Sequence, residues 1–447
     1  MFRSLGERTD IKSGARSRRK RTYQSVVDGL GVSFSQFEER TAQKPRSAAK
    51  NHTIHFKFDI WMLLIVFILI IFGLLMVYSA SYDYSFSWYD DPNMIFNRQL
   101  IWLALGLVVM TAMMFIDYHV LGKLAVPVVT ITVVLLIAVL IVNEVVNGAS
   151  RTLYRGSVQP SELAKLVTVV YLSIWFTARR DQLSNVGFGL IPLGVILGVL
   201  GGLIAIQPDL SAAVTILALG GLMFFLAGGE LKQIGLLIVL ALVIGWLVVQ
   251  FHPTGSKRVA DYLDGLEDPT AGSYQVVRSL EAFNNGGWFG VGIGKATTKV
   301  TGLPVPPTDS IFAVVGEETG VIGSAFLVVL YGLLLWRGFI VARHAPDEMG
   351  ALLAAGLIVW ISLEAFINMS VSVNLLPVTG NPLPFISAGG SNLVATLTAV
   401  GIILGISRVS VRKNEEKGKP FDAVIDLRRW DRRRSQSGAR RSAGVGK

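Results

Sequence analysis

Between residues 58 and 407 the chain runs ten times through a mostly apolar stretch of roughly the twenty residues needed to cross a bilayer. The runs fall at about 58–80, 99–116, 121–142, 160–178, 188–206, 211–228, 233–251, 310–335, 350–370 and 389–407. Apolar runs of this length argue for transmembrane helices over core strands or surface helices. Several contain Gly or Pro, which bundled spans tolerate because neighbouring groups satisfy the freed backbone. The first run starts only after residue 57, behind a mostly polar stretch, which argues against a secretory signal peptide. The expected class is an all-α polytopic membrane protein of ten transmembrane helices, with a large folded extracellular loop between the seventh and eighth.

Charge placement narrows the reading. Hydrophobic residues make up 52% of the chain and charged residues 16%, against about 25% charged in ordinary globular chains. Of the 41 Lys and Arg, 13 lie in residues 1–57 and 13 in 408–447, so the formal charge of +10 belongs to the tails. The membrane part keeps no basic face, which argues against nucleic acid as a partner. Ten spans return the chain to its starting side, and both ends are basic, so both termini are expected in the cytoplasm. The expected domains are a disordered basic tail (1–57), a ten-helix membrane domain (58–407) and a second basic tail (408–447). Run 16–21 (RSRRKR) is expected to attract anionic membrane lipids. With no Cys and five scattered His, thiolate chemistry and histidine metal sites are excluded.

The segment 252–309 joins the seventh and eighth spans. Loops longer than about 15 residues are usually functional or disordered. Trp288, Phe289, Phe283, Tyr262 and Tyr274 argue for a folded segment, lying on the outer face, with a helix over 273–284 at the interface.

Charged and polar residues inside the apolar runs are the candidate chemistry. Gln159-Pro160-Ser161-Glu162-Leu163-Ala164-Lys165-Leu166 opens the fourth span. Pro and Glu suit a first helical turn, and Glu162 and Lys165 share a face. An ion pair embedded in the membrane also suggests a polar cavity. In Gln207-Pro208-Asp209-Leu210, Asp209 reads chiefly as a helix cap. The glycine-dense stretch 286–294 fits no dinucleotide fingerprint; its glycines allow close backbone approach to a bilayer or a polar ligand. Nearby Lys295 and Lys299 are candidate phosphate contacts. Thr308 and Asp309 precede the eighth span, where Asp309 is either a helix cap or a general base. Glu317 and Glu318 add carboxylates beyond what capping requires. Glu364, Asn368 and the broken stretch 376–391, with Ser387, point to a lined cavity.

In chain order, GASR (148–151), QPSELAKL (159–166), QPDL (207–210), NGGWFGVGIG (285–294), TDSIFAVVGEETG (308–320) and INM with LLPVTGNPLPFISAGGS (367–391) form a specific set. Together they resemble the SEDS family of membrane glycosyltransferases, FtsW and RodA, with NGGWFG nearer the FtsW branch. The resemblance implies polymerisation of lipid II, the undecaprenyl-pyrophosphate disaccharide-pentapeptide, on the outer face of the bacterial cytoplasmic membrane during cell division. It implies inversion, with Asp309 as general base, and cavity roles for Glu162, Lys165 and Arg151. Arg151, Lys165, Lys295 and Lys299 would meet the pyrophosphate, with or without a divalent cation such as magnesium or manganese. Implied partners are a class B penicillin-binding protein transpeptidase and other divisome proteins. Gly320, Gly323, Ser324 and Ala325 are expected to offer a small-residue surface to the transpeptidase. The sequence departs from the family at Pro307, Ser310 and Thr152, two residues are missing before Gln159, and the family's SYGGSS is SAGGSN at 387–392, changed at Ala388 and Asn392. Competing readings are a lipid II flippase with Glu162 and Lys165 as a relay, an elongation (RodA-type) polymerase, and a non-catalytic scaffold.

Overall fold

The computed structural model describes residues 58–142, 159–187, 189–251 and 253–418. Arg151, the GASR motif and both basic tails up to 57 and from 419 lie outside the described residues. Within the described residues every regular element is a helix: α1 (Ile60–Tyr89), α2 (Met94–Phe115), α3 (His119–Val142), α4 (Pro160–Ala178), α5 (Leu190–Ile206), α6 (Leu210–Leu226), α7 (Leu231–Phe251), α8 (Pro253–Glu267), α9 (Tyr274–Gly286), α10 (Thr298–Thr301), α11 (Ile311–Arg343), α12 (Glu348–Ser372) and α13 (Gly390–Gly418), besides one 3-10 turn at Arg180–Gln182.

Helix α1 illustrates why lipid is the solvent. Asp59 caps it, accepting the Met62 N–H at 2.9 Å. Met62, Val66, Leu69, Gly73, Met76, Val77 and Ala80 form a buried stripe at helical spacing. The opposite face carries Trp61, Leu64, Phe67, Ile71 and Leu75, all exposed. A helix apolar all round but exposed on one side is stable only where that side meets hydrocarbon. Seven helices (α1–α4 and α11–α13, the last over Gly390–Val411) are long and apolar enough to cross a membrane. Helices α5 and α6, each of 17 residues, and the apolar part of α7 are shorter, close to the lower limit of about 17 residues for a span.

The helices overrun the apolar runs where polar or aromatic residues keep good helix geometry. Thus α1 continues through Tyr89, until Asp90 turns left-handed (φ 57°), and α13 extends to Gly418, beyond the expected end of the membrane domain. Within the bundle α4 packs on α3, α6, α12 and α13, while α13 packs closely on α2. Helices α4, α12 and α13 are the most enclosed. They are also the helices that carry Glu162, Lys165, Glu364, Asn368 and Asn392, so the polar groups sit where protein can satisfy them.

The segment 252–309 folds into α8, α9 and α10, with the expected helix at 273–284 found as α9 behind an Ser273 cap. Helix α9 lies on α11, with the Phe283 and Phe312 rings 5.5 Å apart. Gly286 allows this contact: a Cβ there would stand 2.1 Å from the Gly316 carbonyl oxygen.

The glycine stretch makes a close approach to another stretch of backbone, which the sequence did not point to. Helix α11 is broken at Gly320 (φ 68°, ψ −168°). The groups that the break releases are taken up by the glycine segment. Val291 and Gly292 donate to the Glu317 and Glu318 carbonyls at 2.9 and 3.0 Å, and Val321 and Ile322 donate to the Gly287 and Trp288 carbonyls at 2.9 and 3.3 Å. Gly290 sits at φ 78°, and a Cβ there would meet the Glu318 carbonyl oxygen at 2.2 Å. Gly286 and Gly290 are needed for close approach, and what they approach is α11. Of the small residues on α11, Gly320 and Ser324 are buried within the fold, whereas Ala325 is exposed.

Candidate functional site

Asp309 lies in the turn between α10 and α11, half-buried. Ser310, not Asp309, occupies the N-cap position of α11, and its hydroxyl donates back to the Pro304 carbonyl at 2.7 Å. A capping role is therefore not what holds Asp309 in place. Instead three successive carbonyls are tied to other elements. Pro307 O accepts from the Ala388 N–H at 2.8 Å, Thr308 O from the Ser387 hydroxyl at 2.6 Å, and Asp309 O from the Asn368 amide at 3.0 Å. Asn368 stands on α12, and Ser387 and Ala388 belong to the broken stretch before α13. The three bonds fix the backbone at Asp309 without using its carboxylate. Thr308, half-buried, contributes through its carbonyl and through its own bonds to Val305 O.

The supporting segment is itself anchored. The Ser387 hydroxyl accepts from Leu383 N at 2.8 Å, the Gln99 amide donates to Ser387 O at 3.3 Å, and Tyr331 donates to Pro384 O. Asn368 also donates to Asn381 O at 2.8 Å, and Asn381 reaches Thr215 on α6 at 3.1 Å. On both segments that meet at Asp309 a bulky residue takes a left-handed backbone: Val305 (φ 43°) and buried Phe385 (φ 68°). Such conformations cost about 1–3 kcal/mol and persist only where surroundings enforce them. Gly73 makes room for one of them, since a Cβ there would lie 2.2 Å from the Phe385 carbonyl oxygen.

One turn of α12 from Asn368, Glu364 enters a second cluster. The Lys165 ammonium donates to Glu162 at 2.8 Å and to Glu364. The Asn392 amide bridges the same two carboxylates, at 2.8 Å to Glu162 and 3.1 Å to Glu364. All four side chains are buried. The expected pair is a triad of two carboxylates and one ammonium, closed by an amide. Beside it, Asp209 caps α6 through Ala212 N at 3.2 Å and accepts from Gln159 and Ser161 at 3.1 Å each. The QPSE and QPD motifs therefore meet through this carboxylate.

Glu317 and Glu318 have separate tasks. Glu317 accepts from Thr297 N and Oγ1 at 3.0 and 3.1 Å, and from Thr298, so it ties down the start of α10. Glu318 pairs with Lys299 at 3.0 Å and accepts from Ser79 on α1 at 2.5 Å. Lys299 also donates to Ser79 O and Gly294 O, each at 3.1 Å, and to Ser79 Oγ at 3.0 Å. Four acceptors thus surround this buried ammonium, whereas Lys295 is exposed on the glycine segment. Among the described residues no three His, Asp or Glu side chains converge as a metal site.

Asn392, Asn381, Ser79 and Gln99 were not singled out from the sequence. A polar residue on an apolar helix was the available signal for Asn392 and Gln99; for Ser79 and Asn381 nothing separated them from neighbouring polar residues.

The family model for the FtsW/RodA/SpoVE cell cycle proteins matches residues 60–412. Among curated relatives, stage V sporulation protein E of Bacillus subtilis is 36% identical over 357 residues, covering 79% of this chain and 97% of the relative. A probable peptidoglycan glycosyltransferase FtsW of Geobacter is 37% identical over 355 residues, covering 78% and 96%. Among solved structures, a chain of a peptidoglycan synthase complex that coordinates polymerization and crosslinking matches with TM-score 0.65 and 28% identity, covering 79% of this chain and 98% of that one.

Proposed function

The chain belongs to the FtsW/RodA/SpoVE family of cell cycle proteins, and from that premise we propose that it is a peptidoglycan glycosyltransferase that polymerises lipid II in cell division. The polymer grows by displacement at the anomeric carbon of a lipid-linked donor. An acceptor hydroxyl attacks, the pyrophosphate leaves with the bonding pair, and configuration inverts.

Asp309 takes the hydroxyl proton. The observation that carries this role is the fixing of its backbone through three adjacent carbonyls at a half-buried position in the turn before α11. A general base held in this way contributes about 10²–10⁴-fold. Thr308, Ser387 and Asn368 are positioning residues for it. Charge on the leaving pyrophosphate calls for cations. Exposed Lys295 is the ready candidate among the described residues; Lys299 serves only by leaving Glu318, and Arg151 remains a candidate by family resemblance. The buried Glu162–Lys165–Glu364 triad supports the floor under Asp309 through α12.

Ten spans, counting α5, α6 and α7 with the seven longer helices, put the basic termini in the cytoplasm and α8–α10 with Asp309 on the outer face. A class B penicillin-binding protein is the partner this reading requires, since a growing strand needs crosslinking as it emerges. The flippase alternative draws its support from the buried charges, but all four carboxylate oxygens of the triad accept from Lys165 or Asn392, which favours scaffolding over ion relay. The test is direct: purified protein in detergent, supplied with labelled lipid II, should yield polymer on a gel. Transport of lipid II across vesicles without polymer would favour the flippase.

A further inference from the structure

The glycine segment between α9 and α10 carries two large aromatic side chains that the site does not use. Trp288 is 70% exposed and Phe289 82%, among the most exposed large apolar residues of the described chain. Their backbone is not loose. Gly287 and Trp288 carbonyls accept from Val321 and Ile322, where α11 resumes after its break. The tip is therefore held beside the first residues of the long part of α11, which runs from Val321 to Arg343. At 1.5 Å per residue that part is about 34 Å long, slightly more than the roughly 30 Å of hydrocarbon it would cross. Val321 thus stands at the hydrocarbon edge, and Val321, Ile322 and Phe326 are exposed toward lipid. Ile293, at 52%, and Val300, at 64%, extend the apolar surface beyond the tip. Lys295 adds an exposed cation on the same segment.

We propose that the segment 286–294 is a membrane-interface anchor, with Trp288 and Phe289 inserted into the outer-leaflet boundary between headgroups and acyl chains. Two features favour lipid as the occupant. The tip is continuous with an exposed apolar surface of a spanning helix, and it stands at the depth where aromatic side chains concentrate. The positive-φ glycines at 287 and 290 turn the chain so that the two aromatics project from it while the backbone stays bonded to α11. Insertion depends on α11 being a span; only the choice of leaflet rests on the proposed topology.

The chain contains no Cys, so single cysteines can be introduced and labelled cleanly. Trp288→Cys and Phe289→Cys, each carrying an environment-sensitive fluorophore, would be reconstituted as full-length protein into phosphatidylethanolamine–phosphatidylglycerol vesicles. Acyl chains brominated near the carbonyl serve as quencher, and Phe326→Cys as the reference for a lipid-facing site. Both tip labels are expected to lose most of their fluorescence in brominated vesicles, as the reference does, and to remain quenched when a class B transpeptidase is co-reconstituted. Tip labels that stay bright beside a quenched reference would overturn the proposal. Quenching that the transpeptidase relieves would also overturn it, by assigning the tip to a protein interface.

Discussion

The Asn368 side chain donates to the backbone carbonyl of Asp309 at 3.0 Å, and its other N–H goes to Asn381 O at 2.8 Å. One buried amide on α12 thus joins the turn that presents the proposed base to the broken segment leading to α13. The neighbouring bond, Ser387 to Thr308 O at 2.6 Å, does the same from the opposite side. The backbone at Asp309 is held by these side-chain donors rather than by helix capping.

Asn368→Ala should lower polymerisation sharply. Two buried carbonyls lose their donor, at about 1–3 kcal/mol of stability, and a misplacement of about 1 Å at the reacting group can cost on the order of 10²-fold in rate. Ser387→Ala should show a smaller loss and Ser387→Thr, which keeps the hydroxyl, should restore it. Steady-state assays that separate kcat from KM check this: kcat should fall with KM little changed. A loss confined to KM would move these residues from positioning the base to binding substrate.

The buried triad changes what a charge-neutralising series should give. Lys165→Met leaves two carboxylates facing one another without their ammonium, and breaking a buried pair costs about 3–5 kcal/mol. Adding Glu162→Gln repairs only half of this, because Glu364 stays unpaired. The triple variant with Glu364→Gln should recover most of the thermal stability. Melting curves in detergent distinguish the cases. A double variant as stable as wild type would mean that Glu364 does not share the ammonium.

Gly290→Ala and Gly294→Ala should differ although both positions have positive φ, 78° and 83°. A Cβ at Gly290 strikes the Glu318 carbonyl oxygen, whereas at Gly294 it meets nothing within 4 Å. Gly294→Ala should therefore cost only the strain of a Cβ at positive φ, about 1 kcal/mol, and keep activity. Gly290→Ala should separate the glycine segment from the break in α11 and lower the yield of folded protein. Equal melting temperatures would contradict the account of the broken helix.

Much of this architecture was readable from the chain. Apolar runs located α1–α7 and α11–α13 to within a few residues at most ends, because lipid burial demands long, nearly uniform segments. Glu162, Lys165, Glu364 and Asn368 were identifiable as charged or polar residues in apolar helices. What the sequence concealed were relations across the bundle. Nothing local reveals that Glu364 completes the Glu162–Lys165 pair, that Asn392 bridges both carboxylates, or that Lys299 is consumed by Glu318 and Ser79. The glycine segment was recognisable as a close-approach element, but its partner, a helix broken 30 residues further on at Gly320 and opposite Gly290, depends on tertiary contact. Adjacent Glu317 and Glu318 look interchangeable in sequence, yet one ties down α10 and the other holds an ion pair to α1, because successive residues on a helix face different neighbours.

The most direct test is Asp309→Asn in the purified protein, assayed for polymer from labelled lipid II alongside a melting curve. The Asn368 and Ser387 bonds reach the backbone carbonyls, and Ser310 holds the cap position, so the isosteric substitution keeps these backbone ties and removes the base. The account predicts a wild-type melting temperature with polymerisation reduced by about 10²–10⁴-fold. Polymer formed at near wild-type rate by a stable Asp309→Asn protein would contradict it.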